Sequence, residues 1–286
     1  MKSIRQKIAM SMAVMALLCI NWSCTKDNGG SMTPPATKNN VRLSTTTKFG
    51  SILTDSAGNS LYFFSIDAHD SSGCNGNCIV SWPVFYKANL SLDSGLDKKD
   101  FATTTRRDGS PQTTYKGWPL YYYQADTKAG DINGDGVGKV WFVAKPDYTV
   151  MLSNTQLIGN NGLQYDSLFQ QGPGITQYMT DAYGHTLYAY SPDKFRTNKF
   201  TKADLSNNAA WPIDTLSKVT YVPSTLDKTR FDTLTVFGKV QLVYKGWPLY
   251  YFGNDKGVRG STKGVSIGPA PGFWPYLNVN SLVAPQ

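Results

Sequence analysis

One seven-residue phrase occurs four times in this chain and limits its fold more than any other feature. It reads Leu-Tyr-x-aromatic-x-x-Asp. The copies are Leu61–Asp67, Leu120–Asp126, Leu187–Asp193 and Leu249–Asp255, with leading tyrosines 59, 67 and 62 residues apart. Recurrence at that interval implies one supersecondary unit used repeatedly. Each copy reads as a strand, on which alternate residues share a face. Tyr62, Phe64 and Ile66 then form one aromatic face, as do Tyr121 with Tyr123, Tyr188 with Tyr190, and Tyr250 with Phe252. Such a face suits a half-buried pleated surface. Asp67, Asp126, Asp193 and Asp255 fall where each strand ends, and aspartate at a turn accepts nearby backbone N–H groups. The simpler reading makes the aromatics core and the aspartates caps. The other reading makes them a binding surface.

The acid content agrees. All 20 acidic residues are Asp and none is Glu. Glu favours helices and Asp favours caps and turns, so with 26 Gly and 17 Tyr the chain reads as all-β. Glutamate is also removed from every catalytic role. The formal charge of +8 includes Lys2, Arg5 and Lys7 of the leader, and the remaining basic residues are scattered. No run of the nucleic-acid-binding kind occurs, so no nucleic acid partner is expected.

Residues 1–23 read as an export signal: a basic start, then the apolar run Ile8 to Ile20, too short to span a bilayer. Ser23-Cys24 resembles a bacterial lipobox, which implies cleavage before Cys24 and lipid, palmitate included, on that residue. Asn21-Trp22 departs from the strictest form of the motif. Residues 24–40 are rich in Gly, Pro, Thr, Asn and Lys and read as a flexible tether. The expected location is the cell envelope, anchored in the outer membrane, and Lys26-Asp27 weakly resembles tags that direct lipoproteins to the cell surface.

Beyond the tether the chain runs twice through one plan. Thr54-Asp55 to Leu61-Tyr62 matches Thr180-Asp181 to Leu187-Tyr188, each with a glycine turn. Trp82-Pro83 matches Trp211-Pro212. Tyr115 to Tyr122 is identical to Tyr244 to Tyr251, Gln112 has its counterpart in Gln241, and Trp141 has one in Trp274. We therefore expect two homologous β domains, 41–150 and 173–286, each of two related hairpin units, joined by a connector over 151–172. Together, Thr-Asp-x-x-Gly-x-x-Leu-Tyr, the Tyr-x-aromatic-x-x-Asp phrase, Cys-x3-Cys before Trp-Pro, and Gly-Trp-Pro-Leu-Tyr resemble the bacterial secreted-repeat lipoproteins over most of 45–275. That resemblance implies architecture and location. The activity of the family is not established. The second half departs from the pattern: Ala203 and Asn207 stand where the cysteines would be.

Few residues can carry chemistry. Cys74 and Cys78 in an exported chain are expected to form a disulfide. A metal site would need more ligands, and a redox pair of the thioredoxin type has a shorter spacing. Asp131, Asn133 and Asp135 match the start of a calcium loop, but its twelfth position, normally Glu, is Phe142. A Gly/Asp hairpin turn is the simpler reading, and no other cofactor is suggested. No nucleophilic triad, Gly-x-Ser-x-Gly or phosphate loop occurs, so an enzyme is not expected. Trp82, Trp118, Trp211 and Trp247 are candidate ligand platforms of a sugar-binding surface, or else core anchors. The leading function is a surface binding or interaction module, with an unidentified surface ligand or envelope protein as partner. The alternative is a redox or electron-relay protein using Cys74, Cys78 and the aromatic strands. A glycan-active enzyme stands third.

Overall fold

The computed structural model describes residues 39–69 and 72–286. The expected signal peptide, the lipidation site Cys24 and nearly all of the tether lie outside the described residues.

Each half opens with an antiparallel strand pair that delivers the chain to an aspartate turn. Val41–Thr46 pairs with Gly50–Asp55, Val41 opposite Asp55. Val150–Ile158 pairs with Ile175–Asp181, Val150 opposite Asp181. The turns are built alike. Asp55 Oδ1 accepts the N–H groups of Ala57 and Asn59, both at 2.9 Å. Asp181 Oδ1 accepts those of Tyr183 and His185 at 2.8 and 2.9 Å. Gly58 and Gly184 take the left-handed backbone, φ 91° and 89°, that closes the loop.

The stretch expected as a connector, 151–172, is therefore part of the second half. It supplies most of the nine-residue strand Val150–Ile158 and the short strand Gln164–Tyr165, which pairs back onto Leu157 and Ile158. Asn160-Asn161-Gly162 suits a linker and a hairpin turn equally by composition; in the fold Gly162 takes φ 77° between two strands.

A second hairpin follows in each half. Phe101–Thr105 pairs with Pro111–Tyr115, and Phe231–Val236 with Lys239–Tyr244. The identical Tyr-Lys-Gly-Trp turns then fold Trp118–Pro119 and Trp247–Pro248 back as third strands. Both central residues have positive φ, 49° and 80° at Lys116 and Gly117, 49° and 87° at Lys245 and Gly246. This is the twist-matched two-residue hairpin turn. The strain of a left-handed lysine is offset by its ammonium: Lys116 Nζ donates to Pro146 O at 3.1 Å, and Lys245 Nζ to Val279 O and Ser281 O at 2.8 Å.

The described residues are nearly all β, in five small antiparallel sheets of two or three strands. The four motif copies are shorter than expected. Tyr62–Phe64 is a three-residue strand against Trp141–Val143. The other copies contribute a bridge at the leading tyrosine, Tyr121 to Tyr62 and Val84, Tyr188 to Tyr250 and Tyr276, and Tyr250 to Ile213. The cause lies inside the motif. Past its aromatic residue the chain turns at once, and the Asp N–H donates to the aromatic residue's carbonyl in every copy, at 2.9, 3.1, 2.9 and 3.0 Å. The x-x positions are turn positions, so Ile66 leaves the aromatic face and is 39% exposed.

The described residues form one compact unit. Across the seam between the halves, Asn154 N donates to Ser65 O at 2.9 Å, Thr149 N to Tyr221 O at 3.0 Å and Trp118 Nε1 to Ala182 O at 3.0 Å. Arg259 lies over the Trp118 ring at 4.6 Å and donates to Lys116 O and Asp67 O.

Candidate functional site

The four motif copies are joined crosswise in pairs. Tyr62 of the first copy donates its phenol to Asp126 of the second at 2.6 Å, and Tyr121 of the second donates to Asp67 of the first at 2.6 Å. In the other half Tyr188 donates to Asp255 and Tyr250 to Asp193, both at 2.7 Å. The second oxygen of every aspartate accepts a backbone N–H across the following loop: Gly73 to Asp67, Asn133 to Asp126, Lys199 to Asp193 and Lys263 to Asp255, at 2.6 to 3.0 Å. One carboxylate thus closes a loop with one oxygen and anchors the partner copy with the other. All four tyrosines are fully buried. A buried hydroxyl without a partner is costly, so the aspartate is what allows the tyrosine to sit in the core.

Burial favours the neutral form of Asp67, Asp193 and Asp255 and of the four phenols. It pushes the carboxyl of Asp67 up to about 7, against the opposing pull of the Tyr121 phenol, the Gly73 N–H, Arg106 and Arg259. It pushes Asp193 up to about 6 and raises Asp255. The phenols of Tyr62, Tyr121, Tyr188 and Tyr250 are raised first by burial and then by the neighbouring carboxylate.

Between the crossed pairs runs a column of four rings. In the first half Phe64, Trp141, Trp82 and Tyr123 stack in that order, with centroids 4.0, 3.7 and 4.2 Å apart. In the second, Tyr190, Trp274, Trp211 and Phe252 follow at 4.5, 3.6 and 4.4 Å. The leading tyrosines meet the central indoles edge-on: Tyr62 on Trp82, Tyr121 on Trp141, Tyr188 on Trp211 and Tyr250 on Trp274. Offset stacks and edge contacts are the favoured geometries of aromatic pairs.

This placement corrects several sequence expectations. Trp82, Trp118 and Trp211 are buried, at 5%, 1% and 4% exposure, and Trp247 is half-buried. As ligand platforms Trp82, Trp118 and Trp211 have no open face to offer, because each indole is turned inward, whereas Trp247 keeps part of its ring at the surface. The calcium candidates make bonds to the backbone. Asp131 accepts from Thr127 N and Lys128 N, the Asn133 main chain donates to Asp126, and Asp135 accepts from Val143 N. Among the described residues no three His, Cys, Asp or Glu side chains gather as a metal-holding group. The glycine of that loop has another task. A Cβ on Gly134 would lie 2.8 Å from the Tyr62 ring and 2.9 Å from Trp82, and one on Gly264 would lie 2.7 Å from Tyr188 and 2.9 Å from Trp211. Cys74 and Cys78 form a disulfide, with Cys74 fully buried.

Sequence reasoning missed two things. One is the crossing of the motif partners. The other is a cleft present in both halves, beside the last ring of each column. The first cleft, about 300 Å³, is lined by Asn59, Ser60, Pro83, Tyr122, Tyr123 and Asp126, with Asp55. The second, about 310 Å³, is lined by the six counterparts His185, Thr186, Pro212, Tyr251, Phe252 and Asp255. The signal was available in the matched spacings of 126 and 129 residues. In the first cleft Asn59 Nδ2 donates to Asp55 at 2.9 Å; in the second His185 Nδ1 takes that place against Asp181 at 2.8 Å. That bond raises the His185 pKa.

Residues 44–86 and 102–145 match the family described as a secreted repeat of unknown function. The chain contains two copies of this secreted repeat. Each matched segment holds one Tyr-x-aromatic-x-x-Asp copy, so the pair of matches coincides with one crossed pair. The second half repeats the geometry outside the matched residues. No curated protein and no solved structure matches the chain. Among the described residues no helix is long and apolar enough to cross a membrane.

Proposed function

We propose that the protein is an envelope-anchored binding module whose ligand enters the twin clefts, and that it binds rather than transforms what it holds. The observation that carries this reading is the recurrence of six lining positions in two clefts of nearly equal volume. Their chemistry is an apolar wall of proline and tyrosine or phenylalanine facing a carboxylate, a hydroxyl and a nitrogen donor. That combination suits a saccharide unit, with one apolar face and a rim of hydroxyls. The volumes stand at the lower end of small-ligand sites. Asp126 keeps acceptor capacity beyond its bonds from Tyr62 and Asn133, since a carboxylate offers about four lone-pair sites.

Glycan-array binding of the mature protein, followed by calorimetry on any hit, tests the proposal. Asn59→Ala and Tyr123→Leu are expected to weaken the hit with the melting temperature largely kept, and His185→Ala to weaken it in the second cleft. A hit that survives all three changes would sink the reading. Anchoring through lipidated Cys24 in the outer membrane belongs to the same proposal. Cys24→Ala should release the protein from membranes, and the wild type should incorporate labelled fatty acid.

The ring columns favour a second reading, in which they relay electrons. Four rings at contact distance, flanked by phenols already bonded to carboxylates, can pass an electron hole to a tyrosine that gives its proton to aspartate. Cys74 is fully buried and Cys78 half-buried, and this reading rests on the rings. Flash oxidation by an external one-electron oxidant should place a lasting radical on Tyr62 or Tyr121 and lose it in Trp82→Phe; an unchanged radical yield in that variant removes the reading.

A further inference from the structure

The two halves differ at one buried position where the scaffold requires no difference. Phe85 N donates to Leu120 O, and Phe85 O accepts from Thr113 N, both at 3.0 Å. At the matching position Asp214 N donates to Leu249 O at 3.0 Å, and Asp214 O accepts from Leu242 N at 2.8 Å. The backbone is the same, but a fully buried phenyl has become a carboxylate that is 4% exposed. Phe85 sets its ring against Tyr122 edge-on at 5.7 Å. Opposite Asp214, the counterpart Tyr251 instead borders a cavity of about 460 Å³ at the seam between the halves.

Replacing a buried ring by a buried carboxylate costs stability unless the charge finds a partner. Within the chain Asp214 gains the N–H of Leu216 at 3.0 Å. The phenol of Tyr251 lies between it and Asp181. Burial, with Asp181 nearby, pushes the Asp214 carboxyl up to about 6. The rest of the cavity wall includes Tyr183, which is exposed, and Tyr148, which at 3% exposure adds wall and no open ring face. The ring faces on offer are therefore those of Tyr183 and the half-buried Tyr251. The Tyr148 and Tyr183 rings already carry ammonium groups, Lys145 Nζ 5.4 Å from the Tyr148 centroid and Lys116 Nζ 5.7 Å from that of Tyr183. Tyrosine faces together with a desolvated carboxylate are what recognises an organic cation. The lysines and the Asp181-bound His185 limit the charge that can be added, which favours a bulky monocation over a small divalent one.

We infer that the seam cavity is a third binding site, sharing Tyr251 with the second cleft but centred on Asp214, and that it takes an organic ammonium with Asp214 as its counter-ion. Calorimetry on the whole mature protein with choline, and with the neutral carbon isostere of choline, tests this. Choline is expected to bind and the isostere to bind at least about tenfold more weakly, as loss of the ionic and cation–π terms requires. Asp214→Asn keeps the acceptor for Leu216 and should weaken choline by a similar factor at a melting temperature equal to or above that of the wild type. Asp214→Phe, which copies the first half, should abolish binding and raise the melting temperature, so a folding failure of one variant leaves the other to decide. Equal binding of choline and isostere, no binding of either, or full choline affinity in Asp214→Phe would each overturn the inference.

Discussion

The loop after the first motif aspartate of each half is held by different chemistry in the two halves. In the first half it is tied by the Cys74–Cys78 disulfide and by the buried Arg106, which donates to Ser72 Oγ, Cys74 O and Gln112 Oε1 at 2.5, 2.6 and 2.8 Å. In the second half two asparagines do this work. Asn198 Nδ2 donates to Gln241 Oε1 at 2.7 Å, where Arg106 meets Gln112. Asn207 stands at the matching place of Cys78, accepting from Lys202 N at 3.0 Å and donating to Phe200 O at 2.7 Å. The crossed tyrosine–aspartate pairs, the ring columns and the close glycines are the same on both sides. The fold fixes those and leaves the fastening of the loop open.

The comparison breaks most sharply at the glycines. Gly134→Ala and Gly264→Ala should each cost about 3 kcal/mol, the upper range for overpacking, because the new methyl meets ring atoms held in a column. Thermal melts of the two variants should agree. A half that tolerates its alanine would show that its column is not under the same constraint.

A smaller effect separates the fastenings. Cys74→Ser with Cys78→Ser should cost about 2 kcal/mol for so short a loop. Asn207→Ala should cost about 1 kcal/mol, the usual net worth of a hydrogen bond. Denaturant unfolding of both variants ranks the two ties. A larger loss at Asn207 than at the cysteine pair would reverse the ranking.

A third effect is in pH dependence. Asp67 and Asp193 are held above the ordinary carboxylate value of 3.8, at about 7 and about 6. Between 3.8 and those values the folded protein binds more protons than the unfolded chain, so stability falls as pH rises through the window. Asp193 and Asp214 stop contributing near 6, and Asp67 continues to about 7. Melting temperature should therefore decline from pH 3.8 to about 7, and Asp67→Asn should flatten the last unit of that decline. An unaltered slope there would show that Arg106 and Arg259 already hold Asp67 ionised.

Much of this was legible in the residues. Asp55 with Gly58, and Asp181 with Gly184, announced their turns because that chemistry is local. The identical Tyr-Lys-Gly-Trp segments announced duplicated hairpins. The partner of Tyr62 was not legible, since Asp126 lies 64 positions away and register over such a distance is set by tertiary packing. Nor was the true start of the second half. Val150–Ile158 looks like the end of one region until it is paired with Ile175–Asp181. The twin clefts were not legible because their lining, Asn59, Ser60, Pro83, Tyr122, Tyr123 and Asp126 and the counterparts, is scattered along the chain and gathers only in the fold.

The crossing of the motif partners has a consequence for how such chains can lengthen or shorten. A single copy brings a tyrosine whose acceptor, and an aspartate whose donor, belong to another copy. Added alone, it would leave one phenol and one carboxyl stranded in an apolar interior. Growth or loss by twos leaves nothing stranded. Copy number in proteins built on this plan should therefore run in even steps, and a gene truncated after an odd copy should yield an unstable product rather than a smaller working one.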